Sequence, residues 1–98
     1  MYTTLSIKQS KDKNTITFYV NKINILNVRQ LENTIIEIMS DKKDLVLDLA
    51  NVTFIDSNGF QLLHKIKIES LLNNIDVDYI NINPELQDLF NLSDDFVL

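Results

Sequence analysis

Apolar and polar positions alternate at the start of the chain. Leu5, Ile7 and Gln9 alternate with Ser6 and Lys8, which is the two-residue period of a strand with one covered face. Ser10-Lys11-Asp12-Lys13-Asn14 is a polar turn. Thr15 to Val20 is β-branched and aromatic and reads as a second strand, paired with the first in an antiparallel hairpin. From Asn21 to Leu26 the pattern leaves two readings open: Ile23 and Ile25 suit a short third strand or a loop.

The period then changes. Asn27 is placed as a helix N-cap, and Val28, Leu31, Ile35, Ile38 and Met39 share one helical face until Asp41-Lys42-Lys43. Leu45 to Ala50 is almost continuously apolar, as in a strand covered on both faces. Asn51 to Asp56 leads to a second helix, from Ser57 or Asn58 to about Asn73. Its buried stripe is expected from Phe60, Leu63, Ile66 and Leu71, with Leu62 and Leu72 alongside. Ile75 to Ile82 is a further strand. Asn83-Pro84 opens a short helix through Phe90 that carries Leu86, Leu89 and Phe90. The tail from Ser93 to Leu98 ends in apolar residues expected to dock. Strand-helix-strand units joined by right-handed crossovers give parallel neighbours. The expectation is an α/β fold: a mixed sheet of four to five strands, an N-terminal hairpin followed by parallel βαβ units, and three to four helices.

Ninety-eight residues make one domain, residues 1–98. Nine basic against fourteen acidic residues give a net charge of −5, which ill suits a nucleic-acid partner. The absence of cysteine removes disulfides, thiol catalysis and thiolate metal sites. No basic-then-apolar leader opens the chain, and the apolar runs fall far short of the ~20 residues of a membrane span. The expectation is a soluble cytoplasmic protein without membrane insertion.

Little catalytic chemistry remains. The lone His64 sits mid-helix with no second histidine or cysteine, so no metal site is expected. Ile55-Asp56-Ser57-Asn58-Gly59 keeps half of a nucleophile elbow, but Ile55 replaces the first glycine. On one helix, His64 would lie about 10 Å from Ser57 along the axis, too far to serve as its base. One glycine excludes a glycine-rich nucleotide loop. Asp76 and Asp78 read as a solvated strand end, and Asp48 as a strand-exit residue that accepts backbone N–H groups. No enzyme activity, metal or cofactor is expected. What stands out is Asp56-Ser57-Asn58-Gly59 at a strand-to-helix junction. Asp56 or Ser57 caps the helix. A serine hydroxyl there can also take a phosphate near the positive end of the helix dipole without unfolding the domain. Gly59 leaves the first turn bare, open to the backbone of a partner.

The stretch from Leu45 to Leu63 resembles the signature of the STAS domain of bacterial anti-sigma factor antagonists: an apolar strand ending in Asp, an apolar loop, Asp-Ser-x-Gly and an apolar helix. The hairpin, the Asn27 helix start, the Ile75–Ile82 strand and the Asn83-Pro84 helix follow in the family's order. The resemblance implies a STAS-like fold and a partner switch. The unphosphorylated protein would bind a serine kinase that is also an anti-sigma factor, freeing the sigma factor. Phosphorylation would release it and a phosphatase would reset it. Ser57 would be the phosphoacceptor, with Asp56, Ser57, Asn58 and Gly59 the partner-binding surface, and ATP would belong to the kinase. The alternative is a constitutive STAS subunit, for example beside an ABC-type ATPase, with Ser57 only a helix cap and interface residue. Two stretches depart from the family pattern: the bulky Phe60-Gln61-Leu62-Leu63-His64, and Ile23-Asn24-Ile25-Leu26, where many relatives carry a more charged loop.

Overall fold

A computed structural model describes residues 4–92, with side chains as far as Asp88. The packing of Leu89 and Phe90 and the docking of the Ser93–Leu98 tail lie outside the described residues. Strand β1 (Leu5–Gln9) pairs antiparallel with β2 (Lys13–Phe18), Leu5 opposite Phe18 and Gln9 opposite Asn14. β2 begins two residues earlier than the sequence pattern places it. Ser10 closes the turn by itself, its N–H and hydroxyl both donating to the Lys13 carbonyl, at 2.9 and 2.8 Å. Lys13 and Asn14 are thereby free to align with a third strand.

That strand is β4 (Asp44–Asp48), parallel to β2. β6 (Val77–Ile80) lies parallel on its other side, so the sheet order is β1-β2-β4-β6. Three helices connect and follow the strands: α1 (Val28–Met39), α2 (Ser57–Leu72) and α3 (Pro84–Leu92). The region left open in the sequence divides cleanly. Lys22–Ile23 is strand β3, paired in parallel with β5 (Phe54–Ile55) in a separate two-stranded sheet, and Ile25 lies in a loop. Asn74 and Asn81 bound the segment around β6 with φ of 57° and 56°, left-handed conformations that asparagine tolerates better than most residues. Asn83 accepts the Glu85 N–H at 3.0 Å, as expected of a cap preceding Pro84.

The path β2 to β4 to β6 steps in one direction across the sheet. Right-handed crossovers therefore put α1 and α2 on the same face. Ile16, Phe18, Leu45 and Leu47 point to that face and pack with Leu31 and Ile35 of α1 and with Leu63 and Ile66 of α2, all fully or almost fully buried. Each such side chain contributes about 1.5–3 kcal/mol on burial. The apolar run Leu45–Leu49 is thus not deeply covered on both faces, contrary to the sequence expectation. Its leucines point inward, while Val46 and Asp48 on the opposite face are only half-buried beside Thr15 and Thr17.

The buried stripe of α2 also differs from the expected one. Gly59, Leu62, Leu63, Ile66 and Ser70 face the core, Phe60 is half-buried, and Leu71 and Leu72 are exposed. Steps of three and four residues from Gly59 reach Ser70 and pass over Leu71 and Leu72. The buried Ser70 hydroxyl is satisfied by the Ile66 carbonyl one turn back.

Candidate functional site

The crossover from β4 into α2 makes the site. Asp48 ends β4 and accepts from the Ala50 N–H at 3.0 Å and from Asn81 Nδ2 at 3.2 Å, which ties the exits of β4 and β6 together. This is the strand-exit role its place in an apolar run predicts. The chain then runs through β5 to Asp56, whose N–H donates to the Ile23 carbonyl at 3.1 Å.

Asp56 is the N-cap of α2. Oδ1 accepts the Gly59 N–H at 2.9 Å, and Oδ2 accepts the Ile25 N–H at 3.2 Å from the loop before α1. The Gly59 N–H, foremost, holds the Asp56 carboxyl below the usual carboxylate range. Partial desolvation opposes this, and the Ile25 N–H and the side chain and N–H of Asn58 reinforce it. Of the two capping candidates, Asp56 takes the role. Ser57 is left at the first helical position, exposed.

Asn58 is half-buried beside the Asp56 carboxylate. Gly59, the chain's single glycine, is buried. A backbone does come close to it, but that backbone is Ile23 of this same chain. A Cβ at position 59 would lie 2.6 Å from the Ile23 carbonyl oxygen and 2.6 Å from Ile55 Cγ2. The bare first turn therefore serves the approach of α2 to β3 inside the fold.

The loop before α1 completes the site and was only half visible in the sequence. Asn27 makes no side-chain cap on α1, contrary to expectation. Its Oδ1 accepts the Asn24 N–H at 3.0 Å and its Nδ2 donates to the Lys22 carbonyl at 2.7 Å. Asn24 Oδ1 in turn accepts the Leu26 N–H at 3.0 Å. Ile25 and Leu26 are consequently presented outward, 64% and 90% exposed. Leu26 borders a shallow groove of about 730 Å³ whose walls include Thr4, Tyr19, Val20 and Asn51. The signal was two large apolar residues bracketed by asparagines, the type that folds its side chain onto nearby backbone.

His64 is half-buried further along α2, and among the described residues no cluster of three His, Cys, Asp or Glu could hold a metal ion. Asp76 and Asp78 are exposed, as a solvated strand end should be. The Tyr79 hydroxyl donates to the Leu63 carbonyl at 3.2 Å, and burial pushes its phenol well above the usual range. Its role is structural, locking β6 to α2. No helix among the described residues is long and apolar enough to cross a membrane.

This fold has known counterparts. The family model of the STAS domain matches residues 6–96. The chain belongs to the STAS domain family. Its STAS fold superposes on an unphosphorylated anti-sigma factor antagonist, SpoIIAA, with TM-score 0.72 and 15% identity, over 91% of this chain and 83% of that one. It also resembles part of the murine Solute Carrier 26 family member A9 anion transporter in its inward-facing state, with TM-score 0.74 and 15% identity over 89% of this chain and 14% of that one. Part of Mglu is a third counterpart, with TM-score 0.70 and 15% identity over 81% of this chain. This chain spans only 20% of the length of Mglu. No curated protein sequence matches the chain. At such identities the likenesses establish the fold, and STAS domains as a family are generally non-catalytic.

Proposed function

We propose that this STAS domain is an anti-sigma factor antagonist switched by phosphorylation of Ser57. The unphosphorylated form binds a serine kinase that is also an anti-sigma factor and thereby releases the sigma factor. The phosphorylated form lets go, and a phosphatase restores it. Asp56, Ser57 and Asn58 supply the partner-binding surface, and Gly59 seats the helix that carries them. The observation behind this reading is the exposed Ser57 at the first position of α2, beside a carboxylate held ionised by backbone N–H groups. A phosphate there adds about −1.5 to −2 charges next to Asp56. A partner face matched to the neutral hydroxyl then meets two crowded anions and loses affinity by repulsion and desolvation. The overlap with SpoIIAA along most of both chains supports the reading as an antagonist switch.

The test is mass spectrometry of the chain purified from its native host, followed by calorimetry against the kinase. One phosphate on the peptide carrying Ser57 is expected. Ser57→Ala should keep kinase binding and abolish phosphorylation, and Ser57→Asp should weaken binding by about tenfold or more. Equal affinity of wild type and Ser57→Asp overturns the switch. Absence of phosphate across growth and stress conditions leaves a constitutive subunit, with Ser57 a helix-start residue only.

A further inference from the structure

The loop between β3 and α1 holds two large apolar side chains in water, Ile25 at 64% and Leu26 at 90% exposure. Its backbone is nevertheless pinned. Three consecutive N–H groups, those of Asn24, Ile25 and Leu26, are each taken by a side-chain oxygen, from Asn27, Asp56 and Asn24 respectively. Ordering an exposed loop costs conformational entropy, and a fixed apolar side chain at the surface gains nothing from water. We infer that the Ile25–Leu26 loop is the specificity element through which a serine kinase recognises this chain, with Leu26 seated in an apolar depression beside the kinase's phosphoryl-transfer centre. The inference rests on Ser57 being the phosphoacceptor.

Footprint and chemistry single out this occupant. A kinase that reaches the Ser57 hydroxyl must cover the surface around it. A standard interface takes about 800 Å² per partner, a disc of roughly 16 Å radius. The loop lies well within it, because the Ile25 N–H touches the carboxylate of Asp56, the residue next to Ser57. Residues 19–27 and 51–58, which surround the site, contain only Lys22 and Asp56 as charged residues. On a chain of net charge −5 this is a neutral, partly apolar surface, with Tyr19 and Phe54 also exposed. It suits an apolar contact of weak salt dependence rather than an electrostatic one. Leu72, 74% exposed at the far end of α2, is the matched control. It lies about 22 Å along the helix axis from Ser57, outside that footprint.

The experiment measures the initial rate of phosphate incorporation at Ser57. The purified full chain is supplied with ATP and an extract of the native host containing phosphatase inhibitors. Wild type is compared with Leu26→Asp, Leu26→Ser and Leu72→Asp, each checked for native circular dichroism. The expected result is a loss of about 10- to 100-fold for the two Leu26 variants at limiting protein, the size of an interface hot spot, and no change for Leu72→Asp. Unchanged rates for the Leu26 variants overturn the inference and leave the phosphorylation of Ser57 standing. The same holds if those variants instead alter self-association in ultracentrifugation, which would make a second copy the occupant. No phosphate on wild-type Ser57 overturns the switch itself, and this inference with it.

Discussion

Asp56 performs two tasks with one carboxylate. One oxygen starts α2 through Gly59, and the other fastens the loop at Ile25. Both bonds favour the ionised form. The unfolded chain titrates this residue near the ordinary aspartate value of about 3.9, and the folded chain titrates it lower. The contribution of Asp56 to stability is therefore full above the unfolded value and is lost as pH falls through the folded one. The melting temperature of wild type should fall on acidification below about pH 4, with a shallower acid limb in Asp56→Asn. Superimposable acid limbs, followed by circular dichroism, would remove Asp56 from the account. The Asp-Ser-x-Gly spacing made Asp56 and Ser57 legible in the sequence. The bond to Ile25 was not, because nothing local announces that a residue thirty-one positions earlier will arrive at the second oxygen.

Among the elements, the contact of α2 with β3 is the one with the least tolerance. Gly59 is needed for space alone, since no glycine in the chain has a positive φ. A methyl group there would press on the Ile23 carbonyl and Ile55 and lever the start of α2 away from the small β3–β5 sheet. Gly59→Ala should destabilise the fold by about 1–3 kcal/mol, measured by urea denaturation, despite the higher helix propensity of alanine. A neutral or stabilising result would mean that the helix start shifts freely. The elements themselves were largely readable. The hairpin, the α1 stripe and the Asn83-Pro84 helix start all carry strong local signals. What periodicity could not tell was how α2 is rotated about its axis. Leu62, Leu63, Leu71 and Leu72 look alike in the sequence, and only contact with the sheet separates the buried pair from the exposed pair.

For the molecule as a whole, one topological fact accounts for the departure at β4. Two crossovers stepping in the same direction put both long helices on one face of the sheet. The strand that looked apolar throughout, β4, is therefore deeply covered on one side only. The order of elements along the chain was enough to predict a mixed α/β sheet, but the side on which each helix lies depends on the order of the strands across the sheet, which no residue pattern encodes. The same view of the molecule implies an unusual map of amide exchange with deuterated water. The central strands should exchange only through global opening, and surface loops much faster. The loop beside Ser57 should break that rule. Its three successive amides are closed off by side chains, so Asn24, Ile25 and Leu26 should show protection rare for so exposed a segment, and Asp56→Ala should release Ile25 first. Amides there that exchange as fast as those of the exposed Lys11 and Asp12 would mean that the loop is held far more loosely than its bonds imply. Protection would mean that the surface offered to a partner is already set before the partner arrives.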